Sequence, residues 1–209
     1  MNRFRQWWQT NRRQKRPRIL PRQFSHQLPL WALSVLAVVL SNMASVYAAG
    51  GRDPYQYFFN ETFGNLQEEL QRAKDEGKKG VLVFFELDDC PFCHRMKETV
   101  LNQPEVQAYY RKNFINIDVD IEGDLEITDF QGQPMTQKQF ATKINRVRAT
   151  PVFAFYDLDG KQVVRYTGAT SSVEEFMWLG EYYTSGEYQK MRFTQYKRER
   201  KKNQRATGA

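Results

Sequence analysis

The stretch VLVFFELDDCPFCHRMKETVL, residues 81–101, decides the fold, because an apolar run leads directly into two closely spaced cysteines. Val81–Glu86 is rich in β-forming residues and predicts a buried strand. Pro91 suits the first position of a helix, where its missing N–H costs nothing, so CPFCHRMKETVL predicts a helix that begins at Cys90. Cys90 and Cys93 are the only cysteines of the chain. Both are therefore expected at the junction between a strand and a helix.

The pattern Cys90-x-x-Cys93-His94 is typical of three kinds of site: a c-type haem attachment, half of a metal site, or a dithiol that exchanges electrons with other proteins. Haem-attaching segments usually belong to small helical proteins, whereas a β-rich run precedes this one. A zinc site needs four ligands, and the other histidine of the chain, His26, lies in the predicted leader. The dithiol is the interpretation that the surrounding pattern favours.

Charge is distributed unevenly along the chain. Residues 1–48 hold eight Lys/Arg and no acid, residues 49–189 hold 15 Lys/Arg against 23 Asp/Glu, and residues 190–209 hold eight Lys/Arg against Glu199 alone. The middle of the chain is thus acidic in spite of the overall charge of +7. Because an acidic body repels phosphate backbones, we expect no nucleic-acid partner.

Residues 1–48 are predicted to be a secretory signal peptide. The basic beginning is followed by the apolar run Leu30–Leu40 and by small residues at Val46 and Ala48. The alternative is a retained signal anchor, because Leu30–Ala49 is nearly long enough to span a bilayer; cleavage is favoured. Both alternatives place the rest of the chain outside the cytoplasmic membrane, so we expect a periplasmic location, where disulfides persist.

Helical and strand patterns alternate over residues 65–190. The order is helix, strand, helix, strand, helix, strand, strand, helix, with the last two strands joined around Asp159-Gly160. We expect an α/β domain whose central mixed sheet is flanked by helices. A linker is predicted at 49–64, a long acidic loop at 121–135, a helix at 136–146 and a basic C-terminal tail at 191–209. The aromatic residues at the start of this tail can pack onto the domain, and its basic end is expected to be solvated.

The acidic stretch DVDIEGD, residues 118–124, resembles the beginning of a calcium-binding loop. A strand rather than a helix precedes it, and its twelfth position is Asp129 where a bidentate glutamate is expected. We therefore predict a solvated loop without a metal ion.

Two features are expected to carry the chemistry. The N-terminus of a helix stabilises a thiolate, so Cys90 is the predicted nucleophile, and Cys93, one turn later, is placed to resolve a mixed disulfide. Thr150-Pro151 begins a strand. Its peptide bond is either an ordinary trans bond or a cis bond that would leave the backbone of Thr150 free to pair with an extended client segment. A disulfide that closes so small a loop adds little stability, which favours a chemical role.

Together these residues resemble the thioredoxin superfamily: VLVFFE, then CPFC at the start of a helix, then TP before VFAFYDLDGKQVVRYTG. The resemblance extends from Asn65 to Tyr188. It is closest to the SoxW-like periplasmic thioredoxins, which share the CHRM segment, the stretch from IDVDIEGD to QPMTQKQFA, and a Gly-x-Tyr that is here Gly186-Glu187-Tyr188.

The resemblance implies that Cys90 is the nucleophile, Cys93 the resolving thiol, Pro151 a cis-proline and Thr150 a substrate-contacting residue. In one respect the chain differs from thioredoxins, which have a buried carboxylate six residues before the first cysteine. Phe84 occupies that position here.

Glu86 lies two residues nearer to the cysteines on the same strand face. It is either a substitute proton acceptor for Cys93 or an exposed acid at the end of the strand, and the sequence leaves both alternatives open.

The function predicted from the sequence is a periplasmic thiol-disulfide oxidoreductase that reduces disulfides of exported client proteins. We expect a monomer that needs no cofactor and receives its electrons from a membrane thiol-electron transporter. A disulfide oxidase or isomerase is the nearest alternative. A redox-inactive module that binds a partner through the same fold is the alternative from another functional class.

Overall fold

The computed structural model describes residues 50–207, so the expected leader at 1–48 lies outside the described residues. The strands of this part are Gly80–Glu86 (β1), Phe114–Asp120 (β2), Glu126–Thr128 (β3), Pro134–Thr136 (β4), Val152–Tyr156 (β5) and Gln162–Thr167 (β6). Its α-helices are Pro54–Tyr57 (α1), Leu66–Asp75 (α2), Pro91–Thr99 (α3), Pro104–Asn113 (α4), Gln137–Gln139 (α5), Val173–Thr184 (α6) and Phe193–Thr207 (α7). A π-helical segment, Phe140–Ile144, continues α5, and a 3₁₀ turn covers Glu187–Gln189.

The central sheet has four strands in the order β2-β1-β5-β6. β1 and β2 are parallel, whereas β1–β5 and β5–β6 are antiparallel. Every residue of β1 is buried, in agreement with its apolar sequence and its central place. The mixed α/β sheet flanked by helices that the sequence predicts is confirmed.

The two faces of the sheet bury two separate hydrophobic clusters because successive side chains of a strand point to opposite sides. Leu82 and Phe84 of β1 belong to the cluster that contains both cysteines and side chains of α3, α4 and α6. Val81, Val83 and Phe85 belong to the other cluster, which is covered by α2 and the π-helical segment. The cysteines thus share a core with the even-numbered side chains of β1.

Residues 49–64 are not the linker that we expected. Asp53 caps α1 by accepting a hydrogen bond from the backbone N–H of Tyr55. Phe58 and Phe59 are buried in the cluster that contains the cysteines. Because these two aromatic side chains are part of the core, residues 50–64 belong to the folded unit and do not form a solvated linker.

The predicted acidic loop at 121–135 contains a short antiparallel hairpin, β3–β4. Ile127 and Phe130 are buried in the cluster on the α2 face, which explains why this segment is ordered by tertiary contacts rather than by local pattern. The helix predicted at 136–146 is only partly α-helical, because it widens into the π-helical segment. Phe140 stays buried, while Ile144 is exposed.

The basic residues at 191–209 belong to a helix in the part that the structure describes, and most of them, such as Arg198, Lys201 and Lys202, are exposed to solvent as predicted. They fold into α7, and Tyr196 packs into the core. The Lys197 ammonium lies 2.7 Å from a carboxylate oxygen of Glu175. A second ion pair joins Arg200 to Glu181 at 2.8 Å. Two side chains of the charged run thus connect α7 to α6.

No helix within residues 50–207 combines the length and the apolar character that a membrane span requires.

Candidate active site

The two cysteines form a disulfide at the N-terminus of α3. Cys90 is the N-cap residue, Pro91 occupies the first helical position, and the Cα atoms of Cys90 and Cys93 are 5.2 Å apart. The backbone N–H of Cys93 donates a 3.1 Å hydrogen bond to the Cys90 sulfur. Because unpaired N–H groups converge at a helix N-terminus, negative charge on Cys90 is favoured there once the disulfide is reduced.

The two sulfurs are not equally accessible. Cys90 is 6% exposed, whereas Cys93 is completely buried beneath the first turn of the helix. Between them, the Phe92 side chain projects into solvent, with 57% of its area exposed. Another protein can therefore approach Cys90 but not Cys93. The assignment of nucleophile and resolving thiol agrees with this geometry and stays a prediction.

Thr150 and Pro151 lie at the same edge of the sheet as the cysteines. Pro151 directly precedes Val152, and Val152 pairs with Phe85, the last residue but one of β1. After β1 the chain leads to Cys90. The Thr150-Pro151 peptide bond is cis, the isomer that the resemblance implies. Within residues 50–207, the backbone N–H and C=O of Thr150 take part in no hydrogen bond of the turns and loops. Thr150 thus keeps a backbone donor and acceptor for a bound segment.

Glu86 is buried and ion-paired, so the alternative of an exposed acid is wrong. Its Oε2 atom lies 2.6 Å from the ammonium of Lys97. Its Oε1 atom accepts a 3.2 Å hydrogen bond from the hydroxyl of Tyr55. Both carboxylate oxygens are therefore already engaged by donors. The role of proton acceptor for Cys93 stays a prediction, and these contacts do not favour it.

Sequence reasoning expected Lys97 to lower the pKa of Cys90, but it missed Tyr55 and the pairing of Lys97 with Glu86. Lys97 donates a second hydrogen bond, of 2.7 Å, to the Tyr55 hydroxyl, and its ammonium lies 5.0 Å from the centre of the Tyr55 ring. Burial works against the charged ammonium, but the hydrogen bonds to Glu86 and Tyr55 outweigh it and raise the pKa of Lys97. The four-residue spacing from Cys93 could have indicated that Lys97 lies on the same helix face as Cys93.

Asp118 is a second carboxylate on this side of the sheet that sequence reasoning missed. It pairs in register with Phe84 of the neighbouring strand, so the two side chains share the face that carries the cysteines. Burial raises the pKa of Asp118, and the positive charge of Lys97 counteracts the rise only in part. The alternation in FINIDVD was the available signal, because it places Asp118 on the same face as the buried Phe114.

The charged residues around Cys90 are mostly exposed and paired locally. A ring nitrogen of His94 lies 2.6 Å from the carbonyl oxygen of Asp88. The guanidinium of Arg95 lies 5.4 Å from the centre of the Phe92 ring. Beneath the disulfide, the buried sulfur of Met96 accepts a 3.6 Å hydrogen bond from the Thr170 hydroxyl. The charged groups of the site thus lie at the rim, in the Glu86–Lys97 pair, or on β2 at Asp118.

The geometry does not favour the metal and haem interpretations. A haem would need both sulfurs for thioether bonds, and here they are bonded to each other. In the described part of the chain, no three His, Cys, Asp or Glu side chains come together as a metal site would require. The carboxylates of the calcium-like stretch serve turns instead: Asp120 accepts from the N–H of Glu122, and Asp129 from those of Gln131 and Gln133.

Comparison with solved structures finds chains that are similar to this one. A thioredoxin-fold protein from Helicobacter pylori has 23% identity and a TM-score of 0.48, with 57% of this chain and 83% of that chain covered. A thioredoxin from Thermus thermophilus has 23% identity and a TM-score of 0.46, with coverage of 60% and 85%. The C-terminal domain of DsbD from Neisseria meningitidis has 22% identity and a TM-score of 0.41, with coverage of 56% and 92%.

No protein of curated function matches the chain. The family model that describes a thioredoxin-like domain matches residues 66–184. This match includes the strand β1, both cysteines and the cis-proline, so the thioredoxin-like fold predicted from the sequence is confirmed. Because the match covers more than half of the chain, the chain belongs to the family of thioredoxin-like domains.

Proposed function

We propose that this protein is a thiol-disulfide oxidoreductase that reduces disulfides of exported client proteins. The observation that carries the proposal is the Cys90–Cys93 disulfide at the N-terminus of α3, in which Cys90 keeps 6% exposure and Cys93 is completely buried. This arrangement provides a stabilised thiolate that a client can reach and a second thiol that only the first sulfur can meet.

The reaction proceeds in two exchange steps. The thiolate of reduced Cys90 attacks one sulfur of a client disulfide, so a mixed disulfide forms, the client bond breaks, and the released client thiolate takes up a proton. Cys93 then loses its proton and attacks the Cys90 sulfur. The Cys90–Cys93 bond forms, and the second client thiolate leaves and is protonated. Two electrons have moved from the dithiol to the client; of the two protons that the client thiolates take up, one is released by Cys93 and the other comes from solvent.

The client is held next to the dithiol by its backbone. The free N–H and C=O groups of Thr150 pair with an extended client segment as an added strand would, and Phe92 offers an exposed apolar surface beside Cys90. Main-chain pairing supplies affinity without demanding one client sequence. We propose that clients are recognised mainly by an accessible disulfide in an extended segment.

The dithiol must be re-reduced after each cycle. A membrane dithiol that carries electrons to the outer side of the cytoplasmic membrane would convert the Cys90–Cys93 disulfide back to two thiols by the same exchange steps. This partner, the periplasmic location and the SoxW-like subgroup rest on the sequence pattern. A disulfide oxidase or isomerase would use the same residues with the opposite or no net electron flow.

The test is reduction of insulin by dithiothreitol, catalysed by the full chain and followed by turbidity. Wild type is expected to accelerate precipitation, and Cys90→Ser is expected to be inert. Cys93→Ser is the informative companion, because it keeps the nucleophile: reduced, freed of dithiothreitol and then mixed with insulin, it should accumulate a mixed disulfide on a non-reducing gel. If wild type and Cys90→Ser behaved alike, the enzyme would be excluded in favour of a redox-inactive binding module.

A further inference from the structure

The C-terminal helix α7 packs on the domain with one of its faces. Tyr196 on this face is buried in the cluster that contains the cysteines. Lys197 forms a 2.7 Å ion pair with Glu175 of α6. Arg200 forms a 2.8 Å ion pair with Glu181 of the same helix. The inner basic side chains thus neutralise the acids of α6 that they face.

The opposite face of α7 carries four exposed basic side chains, named the basic stripe here: Arg198, Lys201, Lys202 and Arg205. Residues three and four apart are neighbours on a helix surface, so the spacing of these four places them on one side. None of the ion pairs formed within residues 50–207 includes any of them. The basic stripe therefore presents its positive charge to solvent.

The positive charge is concentrated on this helix although the body beneath it is acidic. α7 holds six Lys/Arg and one acid, Glu199, which borders the basic stripe and accepts a hydrogen bond from Gln195. Residues 49–189 hold 15 Lys/Arg against 23 Asp/Glu. Like charges three and four apart on a helix also repel each other, so the basic stripe costs the helix some stability. An anionic ligand is attracted to this face and repelled by the acidic body.

We propose that the basic stripe of α7 binds the headgroups of anionic phospholipids at a membrane surface. The inference goes beyond the proposed function, because binding of this kind needs no dithiol chemistry. In the part of the chain that the structure describes, no large exposed apolar side chain belongs to α7. The contact is therefore electrostatic and lies at the level of the headgroups, without insertion of the helix into the acyl region.

A lipid surface suits the basic stripe better than a nucleic acid does. The 15 residues of α7 form a rod about 22 Å long, and all four basic side chains lie along one side of it. A flat anionic surface can contact all four at once while the acidic body stays on the far side of the helix. The sequence also predicts export, and outside the cytoplasm a lipid surface is the polyanion within reach.

The C-terminal part of α7 lies beside the end of α6 that is next to the dithiol. The Gln204 side chain donates a hydrogen bond to Glu174 in the first turn of α6. Just before that turn, the Thr170 hydroxyl contacts the sulfur of Met96 in α3, the helix that begins at Cys90. A lipid surface bound by α7 is thus near the end of the domain that holds Cys90. This position suits a dithiol that a membrane partner re-reduces.

The experiment measures how residues 49–209 co-sediment with vesicles of equal parts phosphatidylglycerol and phosphatidylcholine, compared with vesicles of phosphatidylcholine alone. Both hydrophobic clusters lie within residues 58–196, so this protein keeps the whole core and lacks the eight Lys/Arg of residues 1–48. Wild type is expected to bind the anionic vesicles only. Binding should disappear between about 0.01 M and about 1 M salt, because the Debye length falls from about 30 Å to about 3 Å.

Neutralisation of the basic stripe should weaken this binding in proportion to the charges removed. Each Lys or Arg near an anionic surface strengthens binding about fivefold, so Lys201→Gln/Lys202→Gln should weaken it about 25-fold, and neutralising all four residues should weaken it several hundredfold. The variants should keep the wild-type Tm or exceed it, because repulsion within the helix is removed. A loss of binding therefore cannot be attributed to unfolding.

The matched control is Lys138→Gln/Lys143→Gln. These two lysines are also exposed, and they flank Phe140, which packs on the opposite face of the sheet from α7. The control removes the same net charge and should leave vesicle binding almost unchanged. An equal loss in both double variants would show that only net charge matters and would overturn the proposal.

Two further results would also overturn the proposal. One is the absence of binding to anionic vesicles at low salt. The other is a double-stranded DNA oligonucleotide that binds more tightly than the vesicles through the same four residues, which would assign the basic stripe to nucleic acid. If residues 49–209 do not fold alone, the full chain gives the same comparison, because residues 1–48 are identical in wild type and variants.

The failures of the two proposals can be told apart. Lys201→Gln/Lys202→Gln should reduce insulin in solution as wild type does, and Cys90→Ser should bind vesicles as wild type does. Inert wild type in the insulin assay together with stripe-dependent vesicle binding would remove the reductase function and keep the lipid surface. Normal insulin reduction without vesicle binding would do the reverse.

Discussion

Reduction of the Cys90–Cys93 disulfide should change the stability of the fold only slightly. The bond joins residues that are three apart in sequence, so it closes a very small loop. The loop-closure relation gives about 2 kcal/mol of stabilisation for a loop of this size, compared with about 4.7 kcal/mol for a loop of 100 residues. In the reduced protein, the N-terminus of α3 stabilises a Cys90 thiolate and offsets part of this. We expect the oxidised form to be more stable by zero to about 2 kcal/mol.

The measurement is urea unfolding of the full chain at pH 7, once oxidised and once reduced under a non-exchanging reductant. In thermal unfolding the same difference corresponds to less than about 8 °C, because 1 kcal/mol shifts Tm by about 2–4 °C in domains of 150–250 residues. The double variant Cys90→Ser/Cys93→Ser is the control, and reductant should not change its stability.

The sign of the difference also reports the direction of exchange. The unfolded chain behaves as an ordinary dithiol peptide, so a fold that stabilises the disulfide makes the folded dithiol a better reductant than the unfolded one. By the same thermodynamic cycle of folding and disulfide formation, a fold that stabilises the dithiol makes the protein an oxidant. A reduced form more stable than the oxidised form would refute the reductase proposal. A reduced form that is unfolded at 25 °C would refute the reasoning altogether, because the disulfide would then be a structural crosslink.

Two further variants test the packing around the site. Asp118→Asn should raise the free energy of unfolding at pH 7: burial raises the pKa of this carboxyl, so ionisation costs the folded state more than the unfolded one, and stability falls as pH rises above the ordinary value of 3.8. The gain over wild type should vanish below that pH, and the exposed Asp124→Asn should show no such gain; an equal gain in both would contradict the assignment. Gly180→Ala should lower the free energy of unfolding by about 1 kcal/mol. The added Cβ would lie 2.7 Å from the Tyr109 ring and 3.0 Å from the Tyr110 ring, and this overpacking outweighs the higher helix propensity of alanine. A raised urea midpoint would show that these helices have room to separate.

The elements that hold the cysteines could be predicted from short stretches of sequence. β1 is apolar throughout because it lies at the centre of the sheet, and Pro91 marks the beginning of α3. The turn between β5 and β6 was predicted for a local reason as well. Asp157 accepts hydrogen bonds from the backbone N–H groups of Asp159 and Lys161, and Gly160 adopts a positive φ of 73°.

The segments that were predicted wrongly are those whose order depends on distant partners. Residues 49–64 carry no strong helical or strand period, yet Phe58 and Phe59 insert into the core that contains the cysteines. Most basic side chains of the run at 191–209 are exposed, as expected, but the sequence did not predict its helix. That helix is held by contacts such as Lys197 with Glu175, 22 residues earlier in the chain.

By itself, the sequence determined the α/β order and the position of two cysteines at the start of a helix, because propensity, periodicity and capping act between residues close together in the chain. The thioredoxin-like fold was implied by the resemblance of these segments to that family. Only the tertiary structure decided what surrounds those cysteines. Tyr55 meets Lys97 across 42 residues, and both meet Glu86 where a helix crosses the end of a strand. A charged side chain looks the same in a sequence whether water or a buried partner neutralises it, and only the packing of the fold distinguishes the two.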